Sequence, residues 1–138
     1  MIKNPLGRTL STIYIISTLF SFRLASAADV LPQKSMDSKR LSECYATYFE
    51  LSHASSLMAP SAKMKLYESE ASTGLNSIHL LVDQASAANG DAFFKFAVSS
   101  RLKTRRQIYM TQPGSIKMES LADGLYKDAI SCDSTRSG

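Results

Sequence analysis

The chain has two cysteines, Cys44 and Cys132, which lie 88 positions apart within its 138 residues. In an exported protein, two cysteines allow one internal disulfide. The entropy of loop closure gives a bridge of this span a stabilising effect of about 4 kcal/mol. No C-x-x-C motif is present, so a thioredoxin-type or haem-attachment role is not indicated. The two cysteines therefore predict a covalent tie between the first and last elements of the fold, and the alternative is two free thiols with a redox or metal-binding use.

Residues 1–27 have the three parts of a secretory signal. Lys3 and Arg8 precede an apolar stretch over residues 9–22, and the segment then ends in the small residues of LASA. The apolar stretch is shorter than the roughly 20 residues that a membrane-spanning helix needs. We therefore expect cleavage after Ala27, a periplasmic or secreted mature protein, and membrane attachment only if the signal stays uncleaved.

Loss of residues 1–27 would remove most of the net charge. The whole chain has 16 basic and 12 acidic residues, a net charge of +4. Lys3, Arg8 and Arg23 would leave with the signal and no acidic residue would, so 13 basic and 12 acidic residues remain, a net charge of +1. A chain this close to neutral lacks the basic excess typical of nucleic-acid-binding proteins. We expect no nucleic-acid partner.

The remaining sequence predicts one all-α domain between an extended leader (28–37) and a flexible polar tail (134–138). Apolar residues recur at helical spacing in four segments, 39–58, 62–88, 92–110 and 116–132. Turn-forming residues separate these segments at Pro60, Asn89–Gly90 and Pro113–Gly114. Asp37 or Ser38, Asp91 and Ser115 are suitable helix caps. The third segment has an apolar face of Phe94, Ala97, Val98, Leu102, Ile108 and Tyr109.

Four amphipathic helices with short connections pack most simply as an up-down-up-down bundle, here over residues 38–133. Cys44 lies near the start of the first helix and Cys132 at the end of the last. In this topology the two helix ends meet, and both cysteines lie on apolar faces. On the first helix, the positions opposite the apolar face are Glu43, Glu50 and Ala54. Helix phase, connectivity and cysteine placement thus agree.

A cluster of positive charge lies on the third helix at Arg101, Lys103, Arg105 and Arg106. Arg101 and Arg105, four residues apart, fall within the apolar face, where an unpaired charge is very costly. In one interpretation, their stems cover apolar surface while their guanidinium groups reach solvent or pair with an acid such as Asp128.

In the other interpretation, Arg101 and Arg105 form an anion-binding pocket with Tyr48. Counting along the helices places Arg101 level with Tyr48, Gly74 and Gly124. The two glycines would leave room, and the tyrosine hydroxyl would add a donor. The arginine forks would then hold a carboxylate or a phosphate.

The two histidines, His53 and His79, are predicted to be surface residues that bind no metal. They lie on different helices at levels roughly 18 Å apart, from the rise of 1.5 Å per residue. A single ion therefore cannot be shared by both within one bundle.

Catalytic sequence patterns are missing from the chain. It contains no G-x-S-x-G, H-E-x-x-H, P-loop or G-x-G-x-x-G motif. We therefore expect neither an enzyme nor a cofactor. The leading hypothesis is a small exported interaction protein that binds another protein or an envelope component. The alternative is a small-ligand carrier or sensor that uses the anion-binding pocket.

Overall fold

The computed structural model describes residues 36–137, and the side chains of residues 36–135. The predicted signal (1–27) and almost all of the predicted leader lie outside the described residues. Within these residues the secondary structure consists of α-helices joined by turns, with no strand. Its five helices are α1 (Ser38–Ser56), α2 (Ala62–Asn89), α3 (Asp91–Ser100), α4 (Leu102–Met110) and α5 (Ile116–Ser137). Within residues 36–137, each helix is either too short or too polar to cross a membrane.

Three of the helices begin at a side chain that accepts a hydrogen bond from a backbone N–H of the first turn. Asp37 caps α1, Ser61 caps α2 and Ser115 caps α5. The predicted cap Asp91 instead lies within the first turn of α3, where its negative charge favours the helix amino terminus. Gly90 precedes it with φ +56°, a left-handed conformation that glycine adopts without steric cost.

The predicted third helix is two helices, which makes five helices where four were expected. The break is at Arg101, whose φ of −120° and ψ of 13° end α3 and precede α4. Neither proline nor glycine lies at this position, so no helix-breaking residue in the sequence predicts the break. The side chain of Arg101 reaches both α1 and α5, and the break therefore lies where one residue bridges three elements.

Helix α1 packs against each of the other four helices. Because neighbours surround it, even polar side chains on α1 are buried, and these are Ser42, Thr47, Glu50 and Ser55. Ala54 is also buried, so the expectation of a polar side at Glu50 and Ala54 is wrong. The up-down-up-down order of the bundle stays a prediction.

The disulfide between Cys44 and Cys132 is confirmed. It joins α1 to α5, with the two Cα atoms 5.7 Å apart, and both cysteines are buried. Helix α5 continues past Cys132 to Ser137, through most of the segment predicted as a polar tail. At the opposite end of α1 from the disulfide, the backbone N–H of Gly114 donates to the carbonyl of Leu57 at 2.7 Å. This hydrogen bond ties the turn between α4 and α5 to the end of α1.

Candidate functional site

An open apolar groove lies over α1, between α2 on one side and α3 and α4 on the other. It consists of two adjoining cavities of about 150 and 420 Å³, which share Tyr45, Phe49 and Phe94. We call this surface the aromatic groove and define it by six apolar lining residues, Tyr45, Phe49, Leu75, Val82, Phe94 and Val98.

The floor of the aromatic groove is built by α1. Tyr45 and Phe49 are four residues apart and therefore share a helix face, with ring centroids 6.3 Å apart. Tyr45 also packs edge-on against Phe94 at 5.9 Å and contacts Phe93 at 6.1 Å. Contacts of this kind between rings hold their relative orientation. The floor is thus a fixed aromatic platform, on which Phe49 remains 47% exposed.

The wall on the side of α3 and α4 differs from the predicted apolar face. Phe94, Val98 and Leu102, which were expected in the core, are 38%, 40% and 39% exposed. Tyr109 is also exposed, whereas Ala97 and Ile108 are buried as predicted, and Phe93, which was not predicted, is buried as well. The cause is the packing of the helices, because α3 packs against α1 and α2, whereas α4 packs against α1 and α5. Phe94 and Val98 consequently line the groove beside α2, and Leu102 is exposed at the start of α4.

Arg101 makes the kind of pairing that the first interpretation predicted. Its Nη1 lies 2.8 Å from a carboxylate oxygen of Asp128 on α5. Its Nε and Nη2 donate to the hydroxyl of Thr47, at 3.2 and 2.8 Å. Because that hydroxyl is buried on α1, Arg101 ties α1 to α5 from the break between α3 and α4.

Arg105 forms an ion pair with a buried carboxylate. Its Nε lies 2.6 Å from Oε1 of Glu50, and its guanidinium stands 5.8 Å from the centre of the Phe49 ring. Glu50 is almost fully buried, so the arginine supplies the charge that makes this burial tolerable. Sequence analysis did not identify Glu50 as the partner, because helix phase alone placed it on the polar side of α1.

Tyr48 is fully buried, and its hydroxyl donates to Asp133 on α5 at 2.5 Å. Its ring lies against Gly74 of α2, so the room expected beside that glycine is filled. The three residues of the predicted anion-binding pocket therefore all have protein partners, and the pocket stays a prediction.

Room does exist beside Gly124, the second glycine of that prediction. Apart from its chain neighbours and the backbone of its own helix, no residue has a heavy atom within 4 Å of the position that a Cβ on Gly124 would take. Gly124 lines a cavity of about 380 Å³ between α4 and α5, together with Arg101, Lys127 and Asp128. We call this the α4–α5 cavity.

A polar cluster joins α2 to α5. Lys63 pairs with Glu119 at 2.7 Å and with Asp123 at 2.9 Å, and the hydroxyl of Tyr67 donates to Asp123 at 2.6 Å. The Tyr67 ring stacks on Tyr126 with centroids 4.5 Å apart. Since the cluster connects two helices and its polar groups are matched, its arrangement fits a structural role.

The same contacts shift the ionisation of the cluster. Burial and the hydrogen bond to Asp123 raise the pKa of Tyr67 to about 12. Hydrogen bonds with Glu119 and then Asp123 raise the pKa of Lys63. Partial burial opposes ionisation of Asp123, but the hydrogen bonds from Tyr67 and Lys63 outweigh it and lower its pKa. Each shift favours the charge states that hold α2 against α5.

The two histidines have different surroundings. His79 is exposed, as predicted, and lines the aromatic groove. His53 is half-buried instead, with its ring 5.5 Å from that of Tyr109 and its Nε2 buried without a hydrogen-bond partner. Among the residues that the structure describes, no group of three His, Cys, Asp or Glu side chains is arranged to hold a metal ion.

No protein-family model, curated protein or solved structure matches this chain.

Proposed function

We propose that this chain is an exported, non-enzymatic interaction protein that binds another protein, or an envelope component, through the aromatic groove. The observation that carries the proposal is the contiguity of Phe49, Phe94 and Val98 on one exposed surface. Single exposed apolar side chains are common, whereas a continuous apolar surface is typical of a binding site.

Export is supported by the sequence of residues 1–27 and by the disulfide. A buried Cys44–Cys132 bridge is compatible with an oxidising compartment such as the periplasm or the extracellular medium. We also propose that the bundle has the up-down-up-down order, with α3 and α4 together as its third arm. That order would explain why the start of α1 and the end of α5 can be joined by one bridge.

The test is site-specific photo-crosslinking in the envelope of the source organism. Benzoylphenylalanine is placed at Phe49 or Phe94 in the groove and, as the control, at Leu80, which is comparably exposed on α2. We expect one discrete adduct from both groove positions and none from the control. The same adduct from Leu80, or no adduct from either groove position, would contradict the proposal.

A second candidate function is an anion carrier or sensor, and the α4–α5 cavity favours it. In that cavity a ligand carboxylate or phosphate would replace Asp128, which is about half exposed, as the partner of Arg101. Lys127 would supply a second positive charge.

This candidate is tested by measuring the thermal midpoint in increasing inorganic phosphate at constant ionic strength. Arg101→Ala should abolish a phosphate-dependent rise that wild type shows, and Lys103→Ala, the control, should keep it. A wild-type midpoint that does not rise with phosphate counts against phosphate as the ligand.

A further inference from the structure

We infer that the partner presents an amphipathic α-helix, which lies along the aromatic groove with acidic residues towards α3 and α4 and basic residues towards α2. This inference rests on the proposed function, because it concerns the same surface. It adds the class of partner and its orientation across the groove.

The shape of the groove favours a helix as its occupant. Phe94 and Val98 are four residues apart on α3 and make a ridge about 6 Å long at 1.5 Å per residue, and Leu102 follows at the start of α4, after the break at Arg101. Leu75 and Val82 of α2 stand on the other side, and Tyr45 and Phe49 form the floor. Ridges with this spacing pack into the side-chain rows of another helix. Since the described chain is all-helical, it offers no sheet edge to which an extended peptide could add a strand.

The wall formed by α3 and α4 is basic. Residues 92–110 contain five basic residues and no acidic one. Arg101 and Arg105 are paired with Asp128 and Glu50, which leaves three exposed cations on this wall, Lys95, Lys103 and Arg106.

Two of these cations share a helix face with exposed apolar residues of this wall. Lys95 precedes Val98 by three residues and Arg106 follows Leu102 by four, spacings that put them on the same side of the helices. The edge of the groove next to α3 and α4 therefore attracts acidic side chains.

The part of α2 that lines the groove carries the opposite charge. The residues of α2 that line the groove are Leu75, Asn76, His79, Val82 and Asp83, which include one acid and neither Lys nor Arg. Asp83 is exposed and lines the groove directly. A helix in the groove would thus meet negative charge along one edge and positive charge along the other. Complementary charges of this kind fix orientation and partner choice more than affinity, whereas the apolar anchors supply the affinity.

The experiment is a selection from a displayed library of helical peptides on the disulfide-intact mature protein. Each peptide keeps apolar residues at i, i+3, i+4 and i+7, and its two flanking edges are randomised between Glu and Lys. The control target is the double variant Phe49→Ser and Phe94→Ser, checked for folding by circular dichroism. We expect enriched peptides to carry Glu on one edge and Lys on the other, and to be enriched at least tenfold less on the control.

A charge reversal that leaves the apolar residues intact then tests orientation. Lys95→Glu with Arg106→Glu should weaken binding of the selected peptide at least tenfold and strengthen binding of its charge-swapped counterpart. Lys117→Glu, a single charge reversal on α5, is the control. It should change the affinity of neither the selected peptide nor its charge-swapped counterpart.

The outcomes separate the inference from the proposed function. Peptides enriched on the groove without an edge preference, or with the opposite one, would overturn the inference and leave the groove as a binding site. No enrichment that depends on Phe49 and Phe94 would overturn the inference and remove the support for the groove. Groove-dependent binding to vesicles containing phosphatidylglycerol instead of peptides, or a dimer that Phe94→Ser dissolves, would identify a different occupant and also overturn it.

Discussion

The ring of Tyr48 fills the space that a side chain on Gly74 would take. A Cβ placed on Gly74 would overlap three ring atoms of Tyr48, which is itself fully buried. Because Tyr48 belongs to α1 and Gly74 to α2, the absence of a side chain at one position sets how closely these two helices approach.

We therefore expect Gly74→Ala to destabilise the protein. Overpacking a core costs about 1–3 kcal/mol, and the better helix propensity of alanine recovers up to about 1 kcal/mol of this. The free energy of unfolding in urea measures the difference. Gly124→Ala is the matched control, since its Cβ would meet open space, and we expect it to be neutral or to stabilise by up to about 1 kcal/mol. Equal stability of Gly74→Ala and wild type would contradict the packing described.

Loss of the disulfide should lower stability without changing the fold. Replacing Cys44 and Cys132 together by alanine removes a constraint on a chain segment of 88 residues, which corresponds to about 4 kcal/mol in the unfolded ensemble. Urea denaturation of the variant, and of wild type with and without reductant, measures this loss. Without reductant, labelling of thiols in denaturant should find none free. A reductant that leaves the unfolding midpoint unchanged would argue against a stabilising bridge.

Arg105→Ala should destabilise the protein much more than the loss of a neighbouring charge does. The substitution leaves the buried carboxylate of Glu50 without its cation, and breaking such a pair costs about 3 kcal/mol. Lys103→Ala is the control, because Lys103 is exposed on the same helix and should stay within about 0.5 kcal/mol of wild type. Adding Glu50→Gln to Arg105→Ala should restore part of the loss, since a neutral amide is less costly to bury. The absence of this rescue would point to packing by the arginine stem as the cause.

The polar cluster around Tyr67 predicts a loss of stability at alkaline pH. The pKa of Tyr67 is raised to about 12 in the folded protein. The contribution of Tyr67 to the free energy of unfolding is therefore complete below its unfolded pKa of about 10, and it is lost as the pH rises towards 12. The raised pKa of Lys63 acts in the same direction. The thermal midpoint between pH 9 and pH 12 should fall more steeply in wild type than in Tyr67→Phe, and equal slopes would contradict the assignment.

At acidic pH the same cluster predicts the opposite dependence, a loss of stability as the pH falls. The pKa of Asp123 is lowered in the folded protein. Its contribution is thus present above the unfolded pKa of about 3.9 and is lost as the pH falls below it. Asp123→Asn should make the thermal midpoint less dependent on pH in this range. Glu68→Gln, which alters an exposed acid on α2, should leave that dependence unchanged.

Sequence patterns predicted much of the local structure of the described residues. The expected helix starts lie within one residue of those observed for α1, α2, α3 and α5, because proline, glycine and capping side chains act on their immediate neighbours. The pairing of Cys44 with Cys132 was also predictable, since two cysteines allow one internal bridge. The pairing of Arg101 with Asp128 was foreseen as one of two alternatives.

The sequence alone thus determined where helices start and which sulfur atoms pair, because both depend on nearby residues or on a single available combination. Only the tertiary structure decided that the chain breaks at Arg101, that Glu50 is buried and that Phe93 rather than Phe94 enters the core. These outcomes depend on which helices surround α1 and on how each helix is rotated about its own axis. A periodic apolar pattern does not distinguish rotations that differ by one residue, because they are close in energy. The aromatic groove follows from that rotation, so only the tertiary structure could reveal it.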